Sequence, residues 1–325
     1  MKTTDIEFIF LIFVRKLKTL FQRTRTVTAE RYLARKKSQQ KVDFYKLSKN
    51  FDSYYKATSH FSFEKFVTPL WKNFNDKAVS SFIPNPSFSF LNDGTIMLTM
   101  FGGSSFDEEI AYLEKNYKKS ELSRLLQEDY VGNPLIVSNK YITSFNSVRQ
   151  LYLLSFYFNK LHISPDSIST IVEWGGGYGN MAKLLHRMSS RRLTYIMTDT
   201  PLFCCIQWLY LSTIYGSKQV HLVTSPRERI KKGRITIIPI GLLDSYTNQI
   251  KADLFISTWG LSESSKFSQD FVAKRKWFGA RRIFLGYQKS SKNLPTAEYV
   301  GELAAESGAK IETLSILPNN SLAIM

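Results

Sequence analysis

The sequence predicts an α/β fold. A mostly parallel sheet with crossover helices is closed by a terminal antiparallel hairpin and preceded by a mainly helical extension. Three observations predict it. After Ser164-Pro165-Asp166, short apolar runs alternate with helical patterns, the texture of strands joined by crossover helices. The first run ends in Glu173-Trp174-Gly175-Gly176-Gly177-Tyr178-Gly179-Asn180, a strand, a glycine-rich loop and a helix start. The chain closes with Lys310 to Leu317, the turn Pro318-Asn319-Asn320, and Ser321 to Met325, which read as two strands.

Residues 1–50 form a basic, amphipathic, helical segment. Ile6, Ile9, Phe10, Phe13, Leu17, Leu20 and Phe21 share one helical face, with Arg15, Lys16, Lys18, Arg23 and Arg25 close by. Such a face suits peripheral contact of residues 1–25 with an anionic membrane, or packing on the rest of the protein. Residues 51–143 form an aromatic-rich accessory or substrate region punctuated by Pro69, Pro84 and Pro86. In it, Asn92-Asp93-Gly94 between Phe88-Ser89-Phe90 and Ile96-Met97-Leu98 predicts a hairpin. A helix is expected from Phe106 to about Glu128, with Glu114 and Lys118 at pairing distance. Residues 144–325 form the α/β domain, led in by a helix from about Ser144 to Lys160. Its strands are expected at Thr170 to Trp174, Leu193 to Thr198, Ile235 to Ile240, Leu254 to Thr258 and Arg282 to Tyr287.

Composition narrows the function. At 325 residues and 43% hydrophobic content, the chain buries a core and is not a disordered polyampholyte. A net charge of +17 favours anionic partners without choosing among them. Cys204 and Cys205 are adjacent and the four histidines are scattered, so neither a disulfide framework nor a metal site is expected. A reducing, cytoplasmic setting is the default. No stretch reaches the roughly 18 to 20 apolar residues of a spanning helix.

The glycine loop carries most of the chemistry. A dinucleotide fingerprint needs a third glycine where Asn180 stands, so that reading fails. Glu173-x-Gly175-x-Gly177-x-Gly179 instead resembles the first motif of class I S-adenosylmethionine-dependent methyltransferases, which implies a Rossmann-like sheet and S-adenosyl-L-methionine as cofactor. An acid at the strand end suits an ammonium, and Trp174, Tyr178 and Trp259 offer rings to a sulfonium. Asp199 follows about 20 residues on, the spacing at which a carboxylate meets a ribose diol. It could instead cap the helix opened by Thr200-Pro201-Leu202. The resemblance further implies that Thr200, Leu202, Ile240 and Gly241 border the nucleoside, and that Ser257 ends the strand facing the transferred methyl. Asp244 could reach the adenine amine or stand as a solvated loop acid, the favoured reading. Ser257-Thr258-Trp259-Gly260 lacks the proline-rich signature of base-amino methylation, and no cysteine stands near for carbon methylation.

Val172 to Leu184, Tyr195 to Pro201, the helix through Gln207 and Tyr210-Leu211-Ser212, Asp253 to Glu263, and the lead-in Asn146 to Phe156 are similar to sugar O-methyltransferases encoded among bacterial surface-polysaccharide genes. That likeness covers roughly residues 140–290. It implies a saccharide acceptor, either free or on a lipid- or nucleotide-linked carrier. A sugar hydroxyl needs proton removal. Glu263, a few residues past the fourth strand, is the first candidate base, or else a surface acid. His162 is the second, or else a structural histidine. Arg149 suits a cofactor carboxylate, a substrate phosphate, or plain solvent exposure. An RNA- or protein-directed methyltransferase and a non-catalytic cofactor-binding scaffold are the alternatives, the former motivated by charge. Nucleic acid is the less expected partner.

Overall fold

The computed structural model describes residues 27–101, 106–138 and 140–325, with side chains from residue 36 onward. The amphipathic face expected over residues 1–25 lies outside the described residues.

The sheet has eight strands: β3 (Thr170–Trp174), β4 (Thr194–Asp199), β5 (Val220–Leu222), β6 (Ile235–Pro239), β7 (Leu254–Thr258), β8 (Arg282–Gln288), β9 (Lys310–Thr313) and β10 (Asn320–Ile324). A separate two-stranded pair, β1 (Ile136–Ser138) and β2 (Thr143–Ser144), precedes them. The order across the sheet is β5-β6-β4-β3-β7-β8-β10-β9. All pairings from β5 to β8 are parallel, and β10 runs antiparallel to both β8 and β9. This is a Rossmann-like, mostly parallel sheet with an antiparallel closing hairpin. The order reverses at β3, so the crevice beyond the carboxyl ends of β3, β4 and β7 is where a ligand belongs.

Alternation along each strand feeds two cores. Ile171, Tyr195, Met197, Ile237 and Ile256 join one, whereas Val172, Trp174, Ile196, Ile238 and Phe255 join the other. The first is covered by helices α7 (Phe145–Leu161), α8 (Asn180–Met188) and α9 (Pro201–Tyr215). The second is covered by α10 (Lys266–Lys274) and α11 (Tyr299–Glu306). Every residue of α9 from Pro201 to Thr213 is buried. A helix apolar on all sides needs cover on both faces. Here α1 (Val27–Ser48) and α2 (Phe51–Ser59) of the extension supply the outer face, with the Tyr54 and Trp208 rings 4.5 Å apart.

Two expectations fail in the extension. The hairpin at Asn92-Asp93-Gly94 is instead a helix start: Asp93 accepts the Thr95 amide at 2.9 Å and caps α4 (Gly94–Met100). A hydrophobic run on each side of a turn signal satisfies either structure, and the cap wins. The long helix expected from Phe106 divides into α5 (Asp107–Asn116) and α6 (Lys119–Leu126). Tyr117 is extended at the break, and its hydroxyl lies 2.8 Å from Ser155 Oγ. Glu114 therefore pairs with Lys140, at 2.6 Å, and not with Lys118.

Two adjacent acids, Glu128 and Asp129, join extension to sheet layer. Glu128 is fully enclosed. It accepts from Lys183 Nζ at 2.7 Å, from Ser144 Oγ at 2.5 Å, and from Ser147 Oγ. Burial pushes its carboxyl up, but Lys183 and the hydroxyl donors outweigh that and hold it below the usual range. Asp129 bonds Lys36 and Gln40 of α1 through one oxygen and Arg187 through the other. Lys183→Met leaves Glu128 buried without its cation, and should cost about 3–5 kcal/mol. Adding Glu128→Gln should recover part of that in urea unfolding. An unshifted midpoint in the single variant would contradict this account.

Candidate active site

One cavity of about 390 Å³ opens at the carboxyl ends of β3, β4 and β7. Its floor is the glycine loop. Gly175 has φ +71°, and a Cβ there would stand 2.7 Å from Gly260 Cα, so the loops after β3 and β7 touch through bare backbone. A Cβ on Gly176 would lie 2.5 Å from Met197 Cε and 2.9 Å from Glu173 Oε2. The loop thus lies directly on the acid before it.

Strand register sets the acids side by side. Glu173 pairs with Met197, so Tyr195, Met197 and Asp199 share the face of Glu173. Glu173 is buried, and its one hydrogen bond among the described residues is from the Tyr195 hydroxyl to Oε2, at 2.9 Å. Burial, with Asp199 nearby, raises its carboxyl to about 8, against the pull of the tyrosine. Asp199 is half-buried, accepting from the Thr200 amide at 2.8 Å and from Gln207 Nε2 at 2.9 Å. Burial lifts it to about 7, against those donors. The amide it accepts from is that of Thr200, the cap residue itself, so Asp199 does not cap α9 in the ordinary way. Neither carboxylate has a cationic partner among the described residues.

A second wall comes from the extension. Helix α3 (Pro69–Phe82) begins at Thr68, whose hydroxyl donates to the Glu263 carbonyl at 3.1 Å. Trp71 Nε1 donates to Glu263 Oε2 at 2.9 Å, and Gln288 Nε2 approaches Oε1 at 3.3 Å. Burial raises the Glu263 carboxyl despite both donors. Trp259 lies beside it in a left-handed conformation, φ 68°, its indole donating to Asn320 Oδ1 at 2.7 Å. Thr200 Oγ1 donates to Asn75 Oδ1 at 2.6 Å, tying α3 to the β4 end.

Of the residues expected from sequence, Glu173, Gly175, Gly177, Tyr178, Asp199, Thr200, Ile240 and Glu263 line the cavity. The others do not. Gly179 opens α8 at φ +99° and packs under Leu211. Leu202 is a core residue. A Cβ on Gly241 would meet the carbonyls of Phe61 and Ser62 at 2.7 and 2.8 Å, so the extension covers it. Ser257 faces away and staples the strand ends, donating to the Trp174 carbonyl and accepting from the Leu261 amide. His162 is exposed at the carboxyl end of α7, φ 53°. The amino end of that helix, through Gln150, lines the cavity, so the histidine is about 18 Å of helix away. It caps a helix and is no base for this site. Asp244 pairs with Arg275 at the surface. Trp174 is turned into the core, its indole on Ser264.

Sequence reasoning missed Trp71, Met100, Gln288 and Asn320, which line the cavity from outside the motif-bearing stretch. Only Asn146 and Arg149, in the lead-in helix, carried a signal. Among the described residues, no group of three His, Cys, Asp or Glu is placed to hold a metal ion. No described helix is long and apolar enough to cross a membrane.

No protein-family model and no curated protein matches the chain. Several solved structures are similar in fold. Fibrillarin from Aeropyrum pernix, solved with S-adenosyl-L-methionine, is 10% identical over 48% of this chain and 65% of its own, TM-score 0.32. The likeness therefore spans just under two thirds of the fibrillarin chain. An O-methyltransferase from Bacillus cereus is 12% identical over 71% of this chain and 95% of its own, TM-score 0.36. The mitomycin 7-O-methyltransferase MmcR is 12% identical over 76% of this chain and 74% of its own, TM-score 0.36. Values this low carry no weight for ligand or activity, which rest on the cavity itself.

The acids predict a pH signature. An acid whose folded value is raised adds stability below its ordinary value, 4.5 for Glu173, and loses it as pH rises through about 8. The ligand-free protein should therefore weaken across that window. Glu173→Gln should flatten the loss and raise the melting temperature at pH 8.5 by about 2 °C or more. Equal pH dependence in the two proteins would refute the assignment.

Proposed function

We propose that this protein is an S-adenosylmethionine-dependent O-methyltransferase acting on a sugar hydroxyl in surface-polysaccharide or glycolipid biosynthesis. The observation that carries the cofactor reading is the pair Glu173 and Asp199. Two neighbouring carboxylates held at about 8 and about 7 over a bare glycine loop invite an ammonium and a ribose diol. They would repel a pyrophosphate.

The residues present fit that cofactor. Glu173 would hold its ammonium, Asp199 the ribose hydroxyls, and Gly175 to Gly177 would let it lie on backbone. Ile240 would flank the adenine and Trp259 the sulfonium side. When bound, the cofactor supplies an electrophilic methyl with a neutral thioether leaving group.

The acceptor side supports a saccharide. Trp71 and Trp259 offer rings, and Glu263, Gln288 and Asn320 offer hydrogen-bonding groups, around one opening. Acids outnumber cations on the wall, which disfavours a phosphate-rich polymer such as RNA. Glu263 would take the hydroxyl proton. Trp71 and Gln288 fix both carboxylate oxygens, and its raised value brings it nearer a working base.

Label from methyl-labelled S-adenosylmethionine should pass to saccharide acceptors. Turnover on RNA with none on any glycan would sink the sugar reading. Glu263→Gln should lower kcat by about 10²–10³ while leaving S-adenosylhomocysteine affinity within about twofold. In the wild type, kcat should rise with pH through a value above the ordinary glutamate range, and that limb should vanish in the variant. Loss of cofactor affinity with unchanged kcat would instead make Glu263 a structural acid.

A further inference from the structure

Among the described residues lining the cavity there are three carboxylates, Glu173, Asp199 and Glu263, and a single cation, Arg149. Arg149 is nearly enclosed, with 13% of its side chain exposed. Its Nε donates to Glu109 Oε1 at 2.7 Å, and its guanidinium carbon sits 5.0 Å from the Phe145 ring centre. Glu109 is itself buried. Among the described residues that is the guanidinium's one hydrogen bond, so both Nη nitrogens keep their N–H groups unspent.

Its position on α7 decides which part of the cavity it serves. Asn146, one turn earlier, donates to the Tyr178 hydroxyl at 3.0 Å. Gln150, the next residue, accepts from Asn180 Nδ2 at 2.8 Å. Both partners belong to the glycine-loop segment. This stretch of α7 thus abuts the helix end of the glycine loop, and none of these bonds reaches the Trp71–Glu263 wall. Two neighbours hold the guanidinium in place before any ligand arrives, so little ordering remains to be done on binding.

We propose that Arg149 is an oxyanion subsite that takes the α-carboxylate of the cofactor's amino-acid end, opposite the ammonium held at Glu173. The proposal rests on the cofactor reading above. A zwitterionic end group matches a wall with a cation on one side of the loop and an acid on the other. A phosphate dianion matches it poorly, because Glu109 already neutralises part of Arg149 and the remaining wall is acidic.

The test compares two ligands on the full chain by titration calorimetry: S-adenosylhomocysteine, and its decarboxylated analogue, which keeps the amine, thioether and adenosine. Wild type should prefer the carboxylate-bearing ligand by about tenfold or more. Arg149→Gln should bring that ratio to within about twofold while leaving affinity for the analogue unchanged. Arg149→Lys, which keeps the charge and loses the fork, should fall between, and serves if the glutamine variant does not fold. A variant that weakens both ligands equally would make the Glu109–Arg149 pair a structural tie and overturn the proposal. So would an undiminished ratio. Failure of wild type to bind either ligand would overturn the cofactor reading itself, and the subsite with it.

Discussion

The site depends on two buried acids held without a cationic partner among the described residues. Glu173 and Asp199 point to one face of two paired strands, in surroundings that favour their neutral forms. Left alone, the fold would gain by replacing either acid. The geometry keeps them because paired parallel strands fix adjacent side chains on the same face, and because Gly176 leaves no space between the loop and Glu173. A bound cation would relieve that unfavourable arrangement.

The extension completes the site from the other side. Its first helices cover α9, and α3 brings Trp71 and Asn75 against Glu263 and Thr200. The buried Glu128–Lys183 pair and the Asp129 cluster sit behind this arrangement. Through Ser147 and Asn180 the same network reaches Gln150 on the cavity wall. Rigidity of the wall and attachment of the extension therefore share one set of polar contacts.

Much of the sheet was legible because apolar runs of strand length recur at crossover spacing. Thr170–Trp174 and Leu254–Thr258 fall where the pattern places them. The short edge strand Val220–Leu222 escaped because three residues carry no periodicity. Local turn chemistry was ambiguous at Asp93, where a hairpin signal and a helix cap use the same residues. Glu173 and Asp199 were legible because the glycine loop and the next strand end lie close in the chain. Trp71 and Asn320 were not, since nothing within their own segments says that tertiary packing brings them to Glu263 and Trp259. His162 misled because position in the chain does not say which end of a helix faces the cavity.

The unbroken burial of α9 has a consequence for how the chain can be divided. A fragment beginning at residue 144 would keep the glycine loop, both acids and the whole sheet. It would also bare the outer flank of a helix on which Phe203, Trp208 and Leu211 sit among other apolar side chains. Such a fragment would be sticky and missing its Trp71 wall. The α/β half and the helical half are thus one packing unit: moving either into another protein would bare the apolar surface the other covers.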